Sequence, residues 1–69
     1  MKRIKELRKE ANYTQEEISK MIGTKQTIYS RYERGATELN INIVKKLCSI
    51  YNVSADYLLE LTDEKKALN

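Results

Sequence analysis

The chain has 69 residues, 33% of them charged, with no proline and only two glycines, a composition that fits one small helical domain and argues against a sheet or a disordered tail. Its net charge of +3 is unevenly placed: residues 1–34 carry nine Lys/Arg against five Glu, and residues 35–69 carry four Lys against five acids. It has no histidine and a single cysteine, Cys48, which excludes an internal disulfide, a zinc site of nitrogen and sulfur ligands, and the commonest general base.

No apolar run approaches the ~18 residues of a membrane span. The basic residues 1–10 are not followed by an apolar segment, so no signal peptide is expected. The lone cysteine fits a reducing cytoplasm.

Residues 2–11 are predicted to form the first helix, with Ile4, Leu7, Arg8 and Ala11 on one stripe. Arg8 is a charge set among apolar positions. Either its head snorkels to water or it forms a partly buried ion pair. Asn12 suits the left-handed residue that ends a helix. Lys2, Arg3, Lys5 and Lys9 form either a wet face or a basic strip within reach of a phosphate backbone.

The second predicted helix covers residues 15–22. Thr14 and Glu17 have the spacing of a capping box, Tyr13 and Ile18 that of a hydrophobic staple, and Gly23 supplies the positive φ that closes the helix. Ile18 and Ile22 should face inward, with Met21 at the margin. Gln15 sits in the first turn beside free backbone N–H groups, a natural place to meet a phosphate.

The third predicted helix covers residues 25–34, with Thr24 as its N-cap and Gly35 as its stop. At about 100° per residue, Gln26, Thr27, Ser30, Arg31 and Arg34 share one polar sector, and Ile28, Tyr29 and Tyr32 the opposite one. Amide, hydroxyl and guanidinium groups suit the base edges of a major groove and the phosphates beside them. Glu33, at the edge of the apolar sector, is a candidate partner for Arg8.

Residues 36–39 read as a loop. A fourth helix is expected over 41–51, capped by Asn40 and stopped by Asn52, with Ile41, Val44, Leu47, Cys48 and Tyr51 inward. A fifth is expected over 55–61, capped by Ser54, with Tyr57, Leu58 and Leu61 inward. Ile43, Ile50, Leu59 and Leu68 are left over as candidates for a dimer interface. Residues 62–69 read as a short C-terminal tail, frayed or weakly helical. The tyrosines fall at core or staple spacing, not as a stacking platform for single strands. Lys45, Lys46, Lys65 and Lys66 read as solvated charge.

The run Thr14-Gln15-x2-Ile18-Ser19-x2-Ile22-Gly23-x5-Tyr29-Ser30-Arg31-Tyr32-Glu33-x-Gly35 resembles the helix-turn-helix of phage repressor and Cro-type proteins, the XRE-like regulators. Asn52-Val53-Ser54-x-Asp56-Tyr57-Leu58-Leu59 resembles the start of the last helix in the same family. The resemblance spans residues 1–61 without a gap, with the motif at 14–34. It implies an all-α, compact five-helix bundle of the lambda repressor-like type. It also implies sequence-specific binding of double-stranded DNA, usually as a homodimer on a palindromic operator.

Carried over by position, the resemblance implies base readout by Lys25, Gln26, Thr27, Ser30 and Arg31. It implies phosphate contacts from Thr14, Gln15, Thr24 and Arg34, and a structural ion pair between Arg8 and Glu33. Two features depart from the family pattern. The loop after the third helix, Ala36 to Asn40, has no Lys or Arg and includes Glu38. Ile28 stands where a small or polar residue is usual; it is expected to pack under Tyr32, the alternative being contact with a thymine methyl.

The function expected on these grounds is a cytoplasmic transcriptional regulator, bacterial or phage-encoded, that represses by occupying a promoter. The alternative is a protein-interaction module of the same fold, such as an antitoxin. No catalysis, metal, cofactor, small-molecule ligand or membrane partner is expected, since the sequence has no nucleophile–base pair and no Gly-rich phosphate loop.

Overall fold

Five helices account for most of the backbone in the computed structural model, which describes residues 2–65: α1 (Lys2–Glu10), α2 (Gln15–Met21), α3 (Gln26–Arg34), α4 (Ile41–Tyr51) and α5 (Ala55–Leu58). There is no strand among the described residues. None of the described helices is long and apolar enough to cross a membrane.

Local chemistry sets most helix starts. The Thr14 side chain accepts from the Glu17 N–H at 3.1 Å, and the Glu17 carboxylate accepts from the Thr14 N–H at 2.8 Å, completing a capping box. Asn40 Oδ1 caps α4 through the Ile43 N–H, and Ser54 Oγ caps α5 through the Tyr57 N–H.

Helix ends are set by left-handed residues: Asn12, Gly23, Gly35, Asn52 and Glu60 all have positive φ. After α2 the Gly23 N–H bonds Lys20 O and the Thr24 N–H bonds Ser19 O, the paired pattern of a Schellman stop. That stop corrects the start expected for α3. Thr24 is used in closing α2, and Lys25 takes the N-cap position with extended backbone and no side-chain cap. The helix therefore begins at Gln26.

The core joins all five helices, through Ile4 and Leu7 of α1, Ile18 of α2, Tyr29 and Tyr32 of α3, Leu47 of α4 and Leu58 of α5. Ala11 is exposed, because α1 stops at Glu10. On α4 the expected stripe is rotated. Ile41 is 66% exposed and Ile43 only 7%. The buried face centres on Leu47, and at 100° per residue Ile43 lies about 40° from it and Ile41 about 120°. Ile43 is thus core, and Ile50 packs against the core as well, so neither is spare for an interface. Leu68 lies outside the described residues.

On α5 the left-handed Glu60 ends the helix early. The Glu60 N–H bonds Tyr57 O, the Leu61 N–H bonds Asp56 O, and Leu61 is thrown outward to 73% exposure instead of packing. The chain then turns back. Arg3 Nη1 donates to Tyr57 O at 3.2 Å and to Thr62 O at 3.3 Å, and its guanidinium lies 4.0 Å from the centre of the Tyr57 ring. Beyond it the Ser54 N–H donates to Lys65 O at 3.0 Å. With its side chain 15% exposed, Arg3 is therefore not a wet charge. It ties α1 to α5 and to the first residues of the tail.

The rotation of α4 is open to direct measurement. Leu47→Ala should cost ~2–5 kcal/mol of stability, the cost of a cavity at a fully buried leucine. Ile41→Ala should change it by less than ~0.5 kcal/mol, as at an exposed site. Urea unfolding of the two variants checks both.

Candidate nucleic-acid interface

The pair α2–α3 meets across a turn made by Gly23, Thr24 and Lys25. Gly23 has φ +73°, a conformation that side chains with a Cβ adopt only under strain. From outside the pair, Lys46 of α4 reaches this turn. Its Nζ donates to Ile22 O at 3.1 Å, one of the carbonyls left open at the end of α2. A positive charge there also suits the negative end of the α2 dipole. Lys46 is thus a brace for the turn rather than solvated charge, and no local sequence signal marks it.

Tyr29 and Tyr32 anchor α3. Tyr29 is fully buried, and the two rings meet edge to face with centroids 6.4 Å apart. Their burial turns the other face of α3 outward. There Gln26, Thr27, Ser30, Arg31 and Arg34, with Gln15 from α2, line an open notch of about 530 Å³. Gln26, Thr27, Arg31 and Arg34 are exposed, and Ser30 is half-buried. Thr14, Thr24 and Lys25 do not line the notch. The Thr14 hydroxyl oxygen accepts within its capping box, and the Thr24 N–H is used by the α2 stop. Lys25 is exposed beside the N-terminus of α3. Ile28 is 37% exposed, so it stands at the outer margin of α3 rather than buried under Tyr32.

Behind the notch lies a buried charge. Arg8 Nε donates to Glu33 Oε2 at 2.6 Å and Arg8 Nη2 to Glu33 Oε1 at 3.3 Å, a two-pronged pair whose side chains are 11% and 4% exposed. Arg8 Nη1 donates to Tyr13 O at 2.9 Å, which ties the same guanidinium to the link between α1 and α2. Gln15 Nε2 donates to Glu33 Oε1 at 3.1 Å. Burial alone would raise the Glu33 pKa. The hydrogen bond from Arg8, the adjacent Tyr29 hydroxyl, the bond from Gln15 and the Arg8 charge outweigh it, and hold the carboxyl below the ordinary range. Burial, followed by the neighbouring Glu33 carboxylate, pushes the Tyr29 hydroxyl well above its usual value, and burial takes Tyr51 to about 12. Both tyrosines are neutral at physiological pH.

No group of three or more Asp, Glu or Cys that could hold a metal occurs among the described residues.

The family model described as Helix-turn-helix matches residues 4–58. The chain belongs to this helix-turn-helix family. Its fold is similar to the N-terminal DNA-binding domain of SinR from Bacillus subtilis, with a TM-score of 0.74 and 31% identity over 83% of this chain and 84% of that one. By sequence it is 41% identical over 58 residues to the HTH-type transcriptional regulator ImmR of Bacillus subtilis, covering 84% of this chain and 46% of ImmR. It is 34% identical over 68 residues to the antitoxin PezA of Streptococcus pneumoniae, covering 99% of this chain and 41% of PezA. The chain thus spans about half the length of the curated relatives it matches.

Two outcomes follow for the buried pair of this helix-turn-helix. Arg8→Ala should cost ~3–5 kcal/mol, because it leaves Glu33 buried without its main counter-charge. A urea titration that finds a loss below ~1 kcal/mol would place the pair at the level of an exposed contact. The second concerns pH. Because the folded pKa of Glu33 is depressed, the stability it contributes is complete above its unfolded value of about 4.3, and is lost as pH falls through the folded value. Unfolding followed from pH 7 to pH 2 should show that loss in the wild type and a flatter profile in Glu33→Gln.

Proposed function

We propose that this chain binds double-stranded DNA in a sequence-specific way and regulates transcription, with α3 laid in the major groove. The observation that carries the reading is the notch. Six polar side chains, one from the start of α2 and five along the length of α3, converge there, on the face of α3 opposite its tyrosine anchor. The excess of Lys/Arg over acids in residues 1–34 gives that half of the molecule an attraction for a polyanion.

In this reading Gln26 pairs with adenine N6 and N7, and Arg31 with guanine O6 and N7. Thr27 and Ser30 contact base edges on the same face, and Thr27 is suited to a thymine methyl. Lys25 reads bases or holds phosphate from the N-cap of α3. Gln15, Arg34 and the N-terminus of α2 at Thr14 hold phosphates and so fix the register of α3, with Thr24 beside them at the turn. Ile28, exposed and apolar, is suited to contact with a thymine methyl. Two copies on a palindromic operator match the usual symmetry of such sites. Repression follows from occupying the promoter. Acting on DNA, the protein works in the cytoplasm of a bacterium or of a phage-infected cell.

A second reading is favoured by one finding, the 34% identity to PezA across 99% of this chain. PezA is named as an antitoxin, and this chain would then be the DNA-binding part of a toxin–antitoxin pair. Co-purification of a toxin in stoichiometric amount with the chain, from its own host, separates that reading from a free-standing repressor.

Selection of binding sites from random duplexes should yield a palindromic consensus. Gln26→Ala and Arg31→Ala should each lose about 1–3 kcal/mol of discrimination at their own base pair. Unchanged preference in both variants overturns the readout assignment. Plotted as log K against log salt, affinity should fall with a slope near −0.9 per phosphate contacted, and Arg34→Ala should reduce the slope by about one phosphate.

A further inference from the structure

Gln15 has two ends of opposite character, and the structure determines which of them faces the notch. A side-chain amide carries an acceptor oxygen and a two-proton donor nitrogen, and swapping them by rotation costs little unless a neighbour discriminates. Glu33 discriminates. Its carboxylate is ionised and can only accept, so the Gln15 atom 3.1 Å from Oε1 must be the nitrogen. Glu33 is itself held by Arg8 from the other side, at 2.6 Å and 3.3 Å, with 4% of its side chain exposed. It cannot turn to follow Gln15. The amide nitrogen is therefore anchored inward, and Gln15 offers the notch its oxygen and one remaining N–H.

We propose that Glu33 is a positioning residue for DNA recognition: through its bond to Gln15 Nε2 it fixes which end of the Gln15 amide meets the DNA. This rests on the reading of the notch as the DNA site. With the orientation fixed, Gln15 presents one donor and one acceptor in known places. Phosphate oxygens accept only, so a phosphate is held through the single free N–H, while the acceptor oxygen is left to meet a donor on the partner or on the α3 face. Without Glu33 the amide is free to rotate and offer two donors. That would strengthen indiscriminate phosphate contact at the expense of a defined register. Glu33 thus contributes to selectivity without touching DNA, and the Arg8 pair is what keeps it still.

The test separates positioning from folding. Arg8→Met combined with Glu33→Leu removes both charges while keeping apolar bulk, a replacement that buried pairs commonly tolerate. Glu33→Gln is the conservative second variant: the donor-only Arg8 takes its amide oxygen, which leaves its nitrogen toward Gln15 and removes the acceptor that Gln15 Nε2 uses. NMR of the Gln15 side-chain amide in the free protein should show two well-separated, slowly exchanging protons in the wild type. They should move toward the free-amide position in both variants. Preference for the selected operator over random duplex should fall roughly two- to tenfold, the scale of one net hydrogen bond. Adding Gln15→Ala to either variant should cause no further loss. Gln15 amide signals that do not change in the variants overturn the proposal. So does a released amide with operator preference intact, or a Gln15→Ala effect that adds in full. A wild type with no operator preference overturns the DNA reading itself, and it is recognised by that result while the amide signals still report the Glu33 bond.

Discussion

A carboxylate with almost no contact to water sits at the junction of the first three helices, and much of the molecule is arranged around it. An ionised Glu33 in that position would cost several kcal/mol if left alone. Arg8 from α1 answers it with two hydrogen bonds, Gln15 from α2 adds a third, and the Tyr29 hydroxyl lies beside it on α3. Each partner comes from a different helix, so satisfying the charge and fixing the relative positions of α1, α2 and α3 are the same event. Removing an apolar contact from a core lets neighbours relax into the gap. Removing a partner from this node leaves a charge that has no remedy short of protonation.

The second constraint is the turn. A helix-turn-helix depends on one helix stopping sharply and another starting within a few residues, without either fraying. Here the stop is made by Gly23 and by the N–H groups of Gly23 and Thr24, which fold back onto α2. The start has no side-chain cap at Lys25, so α3 relies on what surrounds it. The buried Tyr29 holds its first turn down, and Lys46 braces the preceding turn from α4. An α3 held mainly by its buried face leaves its outer face free of structural duty. Gln26, Thr27 and Arg31 are exposed there because the helix does not need them.

The chain is short, so each long-range tie carries a large share of the whole. Arg3 closes the molecule by joining α1 to the residues after α5, and Lys65 O accepts from the Ser54 N–H at the end of that path. Neither contact touches the notch. Both fix the side of the bundle against which α1 leans, and α1 carries Arg8. The polar face of the α2–α3 pair is thus supported in series: the C-terminal segment holds α1, α1 holds Glu33, and Glu33 holds Gln15.

Much of this was legible in the residues alone, and what was legible has a common character. The caps at Thr14, Asn40 and Ser54 and the left-handed stops at Asn12, Gly23, Gly35 and Asn52 are satisfied by atoms within a few residues, so local spacing is sufficient to read them. The two faces of α3 follow in the same way from helical geometry, except at Ile28, which that geometry groups with Tyr29 and Tyr32 and which the structure leaves 37% exposed. What only the tertiary structure decided are matters of angle and reach. Whether Ile41 or Ile43 is buried depends on how α4 is rotated about its axis against the other helices, and both choices satisfy the same local pattern. Glu60, an ordinary helix former, takes a left-handed conformation, which shortens α5 and exposes Leu61. Arg3, Lys46 and the bond from Gln15 to Glu33 join residues 18 to 59 positions apart. A long polar side chain finds its partner only after the backbone has brought the two together, so nothing in the neighbouring residues announces it.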